Sequence, residues 1–294
     1  MSTREQVREF LTGRRARLSL ADVRLPDYGG RRRVEGLRRE EVALLAGVSA
    51  DYYLRLERGN LAGVSESVLE SLARALQLDE VERAHLFDLA QAANTSPSAR
   101  RRVPTSRVRP NLQQILDSMS APAWVRSPRS DVLATNRLGR ALYGPLFETT
   151  GTPNTARFAF LDPRAREFYP DWDELATNTV ATMRTQAGRT PYDKALTDLI
   201  GELCTRSEEF RVRWAEHEVR THTAGTKRIH HPVVGELTLI YESMELTHDN
   251  GLVLVAYSTE PGSPSEQGLA LLATWAATED REKHARISAG QATE

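Results

Sequence analysis

Residues 31–60 gather side chains suited to binding a charged polymer. RRRVEGLRR (31–39) puts five arginines in nine positions, and Arg55, Arg58 and Asn60 follow. Arginines grouped in this way can neutralise phosphates, so the chemistry on offer is recognition by charge and hydrogen bonding. Between the cluster and Arg55 lies LAGVSADYY (45–53), where a glycine and a serine interrupt two short apolar patterns. Two readings of this skeleton stand side by side: helices built to enter a DNA groove, or an ordinary helical hairpin filling a core.

A helix starting at Arg39 turns Val42, Ala43, Leu45 and Ala46 inward. Gly47 supplies a sharp turn that a side chain would obstruct, Val48 packs beneath it, and Ser49 caps the next helix. In that helix Tyr53 and Leu56 are three apart and face the core, which leaves Ala50, Asp51, Tyr52, Leu54, Arg55 and Arg58 pointing out. A major groove admits one helix, whose N-terminal residues reach base edges. Around this pair the pattern predicts helices from Thr3 to about Leu18, from a Ser65 N-cap through Leu76, and from Asp79, with Glu82 completing a capping box, to about Ala93. The five helices make an all-α domain over residues 1–94.

The chain has 294 residues, 40% hydrophobic and 27% charged, which is globular usage and enough length for two domains. Its formal net charge of −1 hides an asymmetry. Residues 1–110 carry 20 Arg, no Lys and 15 acids, a net of +5, whereas the rest carries 19 basic and 25 acidic side chains, a net of −6. Arg outnumbers Lys 36 to 3, a bias that a coding genome can impose, so the position of the arginines says more than their number. The opening MSTREQVREF has charges where a leader needs an apolar run, and no apolar segment approaches the roughly 20 residues of a membrane span, so a cytoplasmic protein is expected. Cys204 is the only cysteine, which excludes an internal disulfide and a multi-cysteine zinc site; its expected role is a small buried hydrophobe.

NTSPSARRRVPTSRVRP (94–110) lacks apolar periodicity and reads as a linker over 95–110. Beyond it the pattern turns mixed. A helix is predicted from Asn111 to Met119, two short strands around a polar turn in PAWVRSPRSDVLATN (122–136), and a helix through Leu142 and Tyr143. Two helical patterns follow, DWDELATNTVATMRTQAG (171–188) and PYDKALTDLIGELC (191–204). GELTLIYESMEL (235–246) and GLVLVAYSTE (251–260) form a hairpin across Asp249-Asn250-Gly251, and Ser263, Pro264 and Glu266 open a last helix. The expected fold class is α+β, with the mixed domain over 111–280 and a flexible tail over 281–294.

The stretch from Arg38 to Asn60 resembles the helix-turn-helix of the Xre (Cro/C1-type) repressor family. Ala43, Gly47, Tyr53, Leu56 and the terminal Glu57-Arg58-Gly59 sit where that family's pattern has them. Arg39 departs from it, standing where many members carry a phosphate-binding Gln, and Tyr53 is bulkier than the usual Ile or Val. The resemblance implies base readout by Ala50, Asp51, Tyr52 and Arg55, with Ser49 at the head of their helix. Arg55 could pair with a guanine and Asp51 with a cytosine amino group, each good pair discriminating by about 1 to 3 kcal/mol. Asp51 has an equal alternative, because an acid in the first turn stabilises its own helix. Arg38, Arg39, Arg58 and Asn60 are better placed for phosphates.

The order of blocks along nearly the whole chain, from RRRVEGLRREEVALLAGVSADYYLRLERGN through PAWVRSPRSDVLATN and RWAEHEV to HPVVGELTLIYESMEL and YSTEPGSPS, is similar to the MmyB-like transcription regulators. That resemblance implies a PAS-like second domain taking a small apolar ligand, with fatty acid as the precedent, and double-stranded operator DNA as the other partner; a homodimer is expected because helix-turn-helix proteins usually bind two half-sites. Trp124, Tyr143, Phe158, Phe160, Phe168, Trp172, Met183, Trp214 and Tyr241 are large side chains suited either to a pocket or to the core. Arg213, His217 and Arg220 would anchor a carboxylate if they face inward; a solvated helix face is the alternative, favoured for the arginines.

Two rival readings concern the same domain. His217, His222, His230 and His231 fall within 15 residues, as metal ligands or proton carriers would. No HExxH or HxH arrangement joins them, and adjacent strand residues face opposite sides, so neither metal nor catalysis is expected. No nucleophile elbow, P-loop or dinucleotide fingerprint suggests an enzyme or a cofactor. The other rival is a dimerisation or partner-binding module, with LALLATWA (269–276) docking on its own domain or across a two-fold axis.

Overall fold

The computed structural model describes residues 3–23, 36–94, 108–190, 193–216, 224–247, 249 and 251–291, without the side chains of 280 and 282–291. Most of the expected linker, 95–107, and most of the arginine cluster, 31–35, lie outside the described residues. The chain divides into two compact units, one of 1–103, 180–202 and 211–221, the other of 104–179, 203–210 and 222–294.

The first unit contains the five expected helices, α1 (Thr3–Arg17), α2 (Arg39–Ala46), α3 (Ala50–Glu57), α4 (Glu66–Ala75) and α5 (Glu80–Asn94). Their apolar positions recur at helical spacing, Val7, Phe10 and Leu11 on α1 and Leu69, Leu72 and Ala73 on α4, and these close on Val42, Tyr53, Leu56, Leu86 and Leu89. Capping follows the sequence. Ser65 Oγ accepts from Val68 N, and Asp79 and Glu82 exchange side-chain to backbone bonds of 2.8 and 3.2 Å. Gly59, at φ +90°, ends the α3 turn where an added Cβ would lie 2.3 Å from the Arg4 carbonyl oxygen, so only glycine fits. The later segments of this unit add Arg189, whose Nε donates to Asp88 at 3.0 Å, and Arg184, whose guanidinium lies 4.3 Å over the Trp214 ring.

The second unit is built on a five-stranded antiparallel sheet in the order β2-β1-β5-β4-β3. Its strands are β1 (Ala123–Arg126), β2 (Val132–Thr135), β3 (Ala224–His231), β4 (Gly235–Glu245) and β5 (Val253–Ser258). The helix α6 (Pro110–Ser118) covers one face, where Leu112 and Leu116 meet Ala123, Val125 and Ala134. Period-two alternation sends Trp124, Val255, Tyr257, Ile229, Leu237 and Leu239 to the other face. There they meet side chains from α7 (Arg137–Leu142), α8 (Gly144–Phe147), α9 (Thr155–Leu161), α10 (Ala165–Phe168), the first turns of α11 (Trp172–Arg189) and α14 (Pro264–Gln291). The helices α12 (Lys194–Arg206) and α13 (Glu208–Ala215) complete the chain's described elements. The last helix continues past Arg281 to Gln291, where the sequence reading expects a tail. No described helix is long and apolar enough to cross a membrane.

Candidate nucleic-acid interface and ligand face

Gly47 closes α2 at φ 67°, ψ 31°, in the left-handed region that glycine enters without strain. Two residues on, Ser49 Oγ accepts from Tyr52 N at 3.1 Å and starts α3. Tyr53 and Leu56 are fully buried, so the helix can face outward only with Ala50, Asp51 and Arg55, which are exposed, and with Tyr52 and Leu54, which are half-buried. The Arg55 guanidinium lies 4.7 Å over the Tyr52 ring, so the two side chains present a joined surface. Ser49, Arg38 and Arg58 are exposed beside them and Asn60 is half-buried, with its backbone N–H on the Arg55 carbonyl. The expected DNA-contacting residues therefore lie along α3 and at its two flanks.

Beneath this face sits an ion-pair network that the sequence did not disclose. Glu57 is 2% exposed and its carboxylate accepts from Arg15 Nε at 2.8 Å, from Thr12 Oγ1 at 3.2 Å and from Arg39 Nε. Arg15 also donates to the Leu37 carbonyl at 2.8 Å. These bonds tie α1, the entry to α2 and the end of α3 together and so fix the angle at which α3 projects. Arg39, expected on phosphate, thus has its Nε engaged by Glu57, and the hydrogen bond raises its pKa, while about half of its side chain stays exposed. Burial first, and then the charge of Glu57, push the Tyr53 hydroxyl well above its ordinary pKa.

Six of the expected ligand residues come together in the second unit. Trp124, Tyr143, Phe158, Phe168 and Trp172 are buried in one cluster on the inner sheet face, and the half-buried Tyr241 packs against it. Trp124 and Tyr143 have ring centroids 4.0 Å apart, and the Tyr143 hydroxyl donates to the Tyr257 hydroxyl at 2.9 Å. Trp172 donates its indole N–H to the Ala159 carbonyl at 2.8 Å, which gives it a structural task, and Phe160 packs between it and Phe210. Met183 and Trp214 belong to the first unit instead, where Arg184 donates to the Trp214 carbonyl and Arg213 is half-buried. His217, Arg220 and His222 lie outside the described residues.

The remaining histidines divide as strand alternation requires. His230 is exposed; His231 is buried, accepts from Val233 N on Nδ1 and so offers its Nε2 proton to the Ala141 carbonyl at 3.0 Å. Burial holds its pKa below the ordinary histidine value, consistent with a neutral structural ring. Cys204 is partly buried. Two residues that sequence reasoning passed over, Arg126 and Lys227, stand on the inner face of the sheet. The available signal was parity, since Arg126 is two residues from Trp124 and Lys227 two from Ile229.

Comparison with known families assigns both units' sequences. A helix-turn-helix domain model matches residues 30–86, and the model of the MmyB-like transcription regulator ligand binding domain matches residues 108–272, more than half of the chain. The chain belongs to the MmyB-like transcription regulators. No curated protein matches it. The MmyB-like match spans the whole sheet, including both Arg126 and Lys227, and the helix-turn-helix match spans α2 to α4 and the first half of α5. This MmyB-like chain is a DNA-binding transcription regulator carrying a ligand-binding domain.

Proposed function

We propose that the protein is a sequence-specific, ligand-responsive regulator that reads operator DNA with α3 and senses a small apolar ligand, a fatty acid among the candidates, on the inner face of its sheet. The observation that carries the DNA half is the Ser49-capped helix. It presents Ala50, Asp51 and Tyr52 outward at its N-terminal end and Arg55 in its last turn, flanked by Arg38, Arg39, Arg58 and Asn60. Base discrimination belongs to the first group and phosphate contact to the second. The five-stranded antiparallel sheet with helices laid on its inner face supports the PAS-like reading of the second domain. Domain limits of 1–94, 95–110, 111–280 and 281–294 remain our assignment, and a regulator of operator DNA would act in the cytoplasm. The ligand would regulate only by binding two conformations unequally.

A second reading, in which the C-terminal domain serves dimerisation or partner binding, draws on Leu271 and Trp275, exposed at 65% and 37% one turn apart on α14. The two readings are compatible, because a two-fold dimer would meet two half-sites. Selection of bound duplexes from a random DNA pool, followed by native mass spectrometry of the purified full chain, tests both. The proposed function predicts an enriched motif and a small molecule bound to the protein. An unenriched pool would contradict the DNA half, and a ligand-free symmetric dimer would favour the scaffold reading.

A further inference from the structure

Of the five arginines on α1, three are engaged in holding the first unit together and two are not. Arg14 pairs with Glu82, Arg15 with Glu57, and Arg17 donates to the Glu216 carbonyl at 2.8 Å. Arg4 and Arg8 are exposed, and among the described residues no acid pairs with either. Helical spacing puts Arg4, Arg8, Thr12 and Arg15 on one flank of α1. That flank meets α3. Thr12 and Arg15 reach Glu57, and the Arg4 backbone packs so closely on Gly59 that a Cβ there would stand 2.7 Å from the Arg4 Cα. Glu5 and Glu9, the acids of the same stretch, lie farther round the helix, away from α3.

Gly59 stands between Arg58 and Asn60, the two residues assigned to phosphate at the C-terminal flank of α3, so Arg4 lies directly against the same turn. Both ends of this arrangement are tied down. Gly59 N donates to the Leu56 carbonyl at 2.8 Å and closes α3, while Leu37 N donates to the Arg15 carbonyl at 3.1 Å and joins the far end of α1 to the entry of α2. With its backbone held there, Arg4 has its guanidinium within side-chain reach of whatever Arg58 and Asn60 hold, and Arg8 continues the row by one turn. Cations placed in this way gain by releasing the counterions condensed on DNA, and they need no base-specific geometry. The helix α1 precedes residues 30–86, so this contribution comes from outside the matched helix-turn-helix domain.

We propose that Arg4 and Arg8 extend the DNA interface onto α1, where they hold backbone phosphates next to those met by Arg58 and Asn60. The inference rests on the DNA-binding reading of the first unit and adds a sequence-independent contact to it. Because a phosphate carries no base information, the two arginines strengthen binding to every duplex by the same factor. Discrimination is left to Ala50, Asp51, Tyr52 and Arg55.

The test uses the full chain and its Arg4→Gln, Arg8→Gln and double variants. Anisotropy is read through a salt series on a duplex of random sequence, then on the duplex enriched by selection. Each single change should weaken binding about fivefold at near-physiological salt and lower the slope of log affinity against log salt by about 0.9, with the double variant losing about twice that slope. The losses should be equal on the two duplexes within about twofold. Arg4→Lys and Arg8→Lys keep the charge and should restore most of the slope. Arg74→Gln, at an exposed position of α4, removes the same charge elsewhere and should leave the slope unchanged. Unchanged slopes in the α1 variants, or an equal change in Arg74→Gln, would overturn the proposal and leave the DNA-binding reading standing. A loss confined to the enriched duplex would also overturn it, by giving α1 a base-reading role. A wild-type chain that binds neither duplex would overturn both. Glutamine is a good helix former, so the variants should melt with the wild type; if Arg4→Gln does not, Arg8→Gln and Arg4→Lys carry the decision.

Discussion

Arg55 and Glu57, two residues apart on α3, do opposite work. Arg55 is exposed and braced on Tyr52, so Arg55→Ala should leave folding intact and lower affinity for the operator about tenfold or more while affinity for random DNA changes little. Anisotropy on both duplexes at one salt concentration measures this; equal losses would deny it a base-reading role. Glu57 is buried between Arg15 and Arg39, and Glu57→Ala leaves Arg15 without its carboxylate, so denaturant titration should show a loss of about 3 to 5 kcal/mol. The sequence places Arg55 correctly on an outward helix face because helical spacing alone decides exposure. It does not disclose the Glu57 network, because Thr12 and Arg15 reach Glu57 from 45 and 42 residues away, and no local pattern encodes such a contact. Arg126 and Lys227 escape notice for a related reason: each is an ordinary charged residue until the strand order brings both to one face.

Elements with strong local signals are legible, the four-residue β1 and β2 among them, and three short helices are not. The α2-turn-α3 unit follows from Arg39, Gly47 and Ser49, and it forms with those residues in the expected places. The hairpin of β4 and β5 likewise follows from alternation and from Gly251, whose φ is +78°. By contrast α8, α9 and α10 are four to seven residues long, too short for a periodic stripe, and α9 is marked only by Asn154, whose side chain accepts from Ala156 N and Arg157 N. Pro191 and Tyr192, which open the second helical pattern, lie outside the described residues, and α12 begins at Lys194. Because Ser49 supplies the cap on which the reading helix starts, Ser49→Ala should reduce stability by about 1 kcal/mol. Equilibrium unfolding of the two proteins in urea measures it, and an unchanged midpoint would show that tertiary packing alone holds the helix start.

At the scale of the whole molecule, sequence charge asymmetry and two successive patterns suffice to expect an α+β chain with a helical first part, and that fold class is found. The grouping of 180–202 and 211–221 with the helical unit depends on contacts such as Arg189–Asp88, which linear reading cannot supply. This grouping has a consequence for pH. His85 packs edge-on to Phe10 at 5.1 Å, and burial, followed by the charges of Arg184, Arg14 and Arg189, takes its pKa down to about 3. The unfolded chain therefore binds more protons than the folded one between about pH 3 and 6.5, so stability falls as the medium is acidified through that window. Glu82, raised chiefly by burial and paired with Arg14, opposes part of the effect near its ordinary value of 4.5. Melting curves between pH 7 and 5 should show a decline that His85→Gln flattens; a decline of equal slope in the variant would assign it elsewhere.

The central claim is that this chain recognises a DNA sequence, and fluorescence anisotropy on duplex DNA from upstream of its own gene, against a scrambled duplex at fixed near-physiological salt, tests it most directly. The account predicts a specific affinity about 10³-fold or more above the scrambled control. Equal, weak binding to both, with and without dodecanoate, would contradict it.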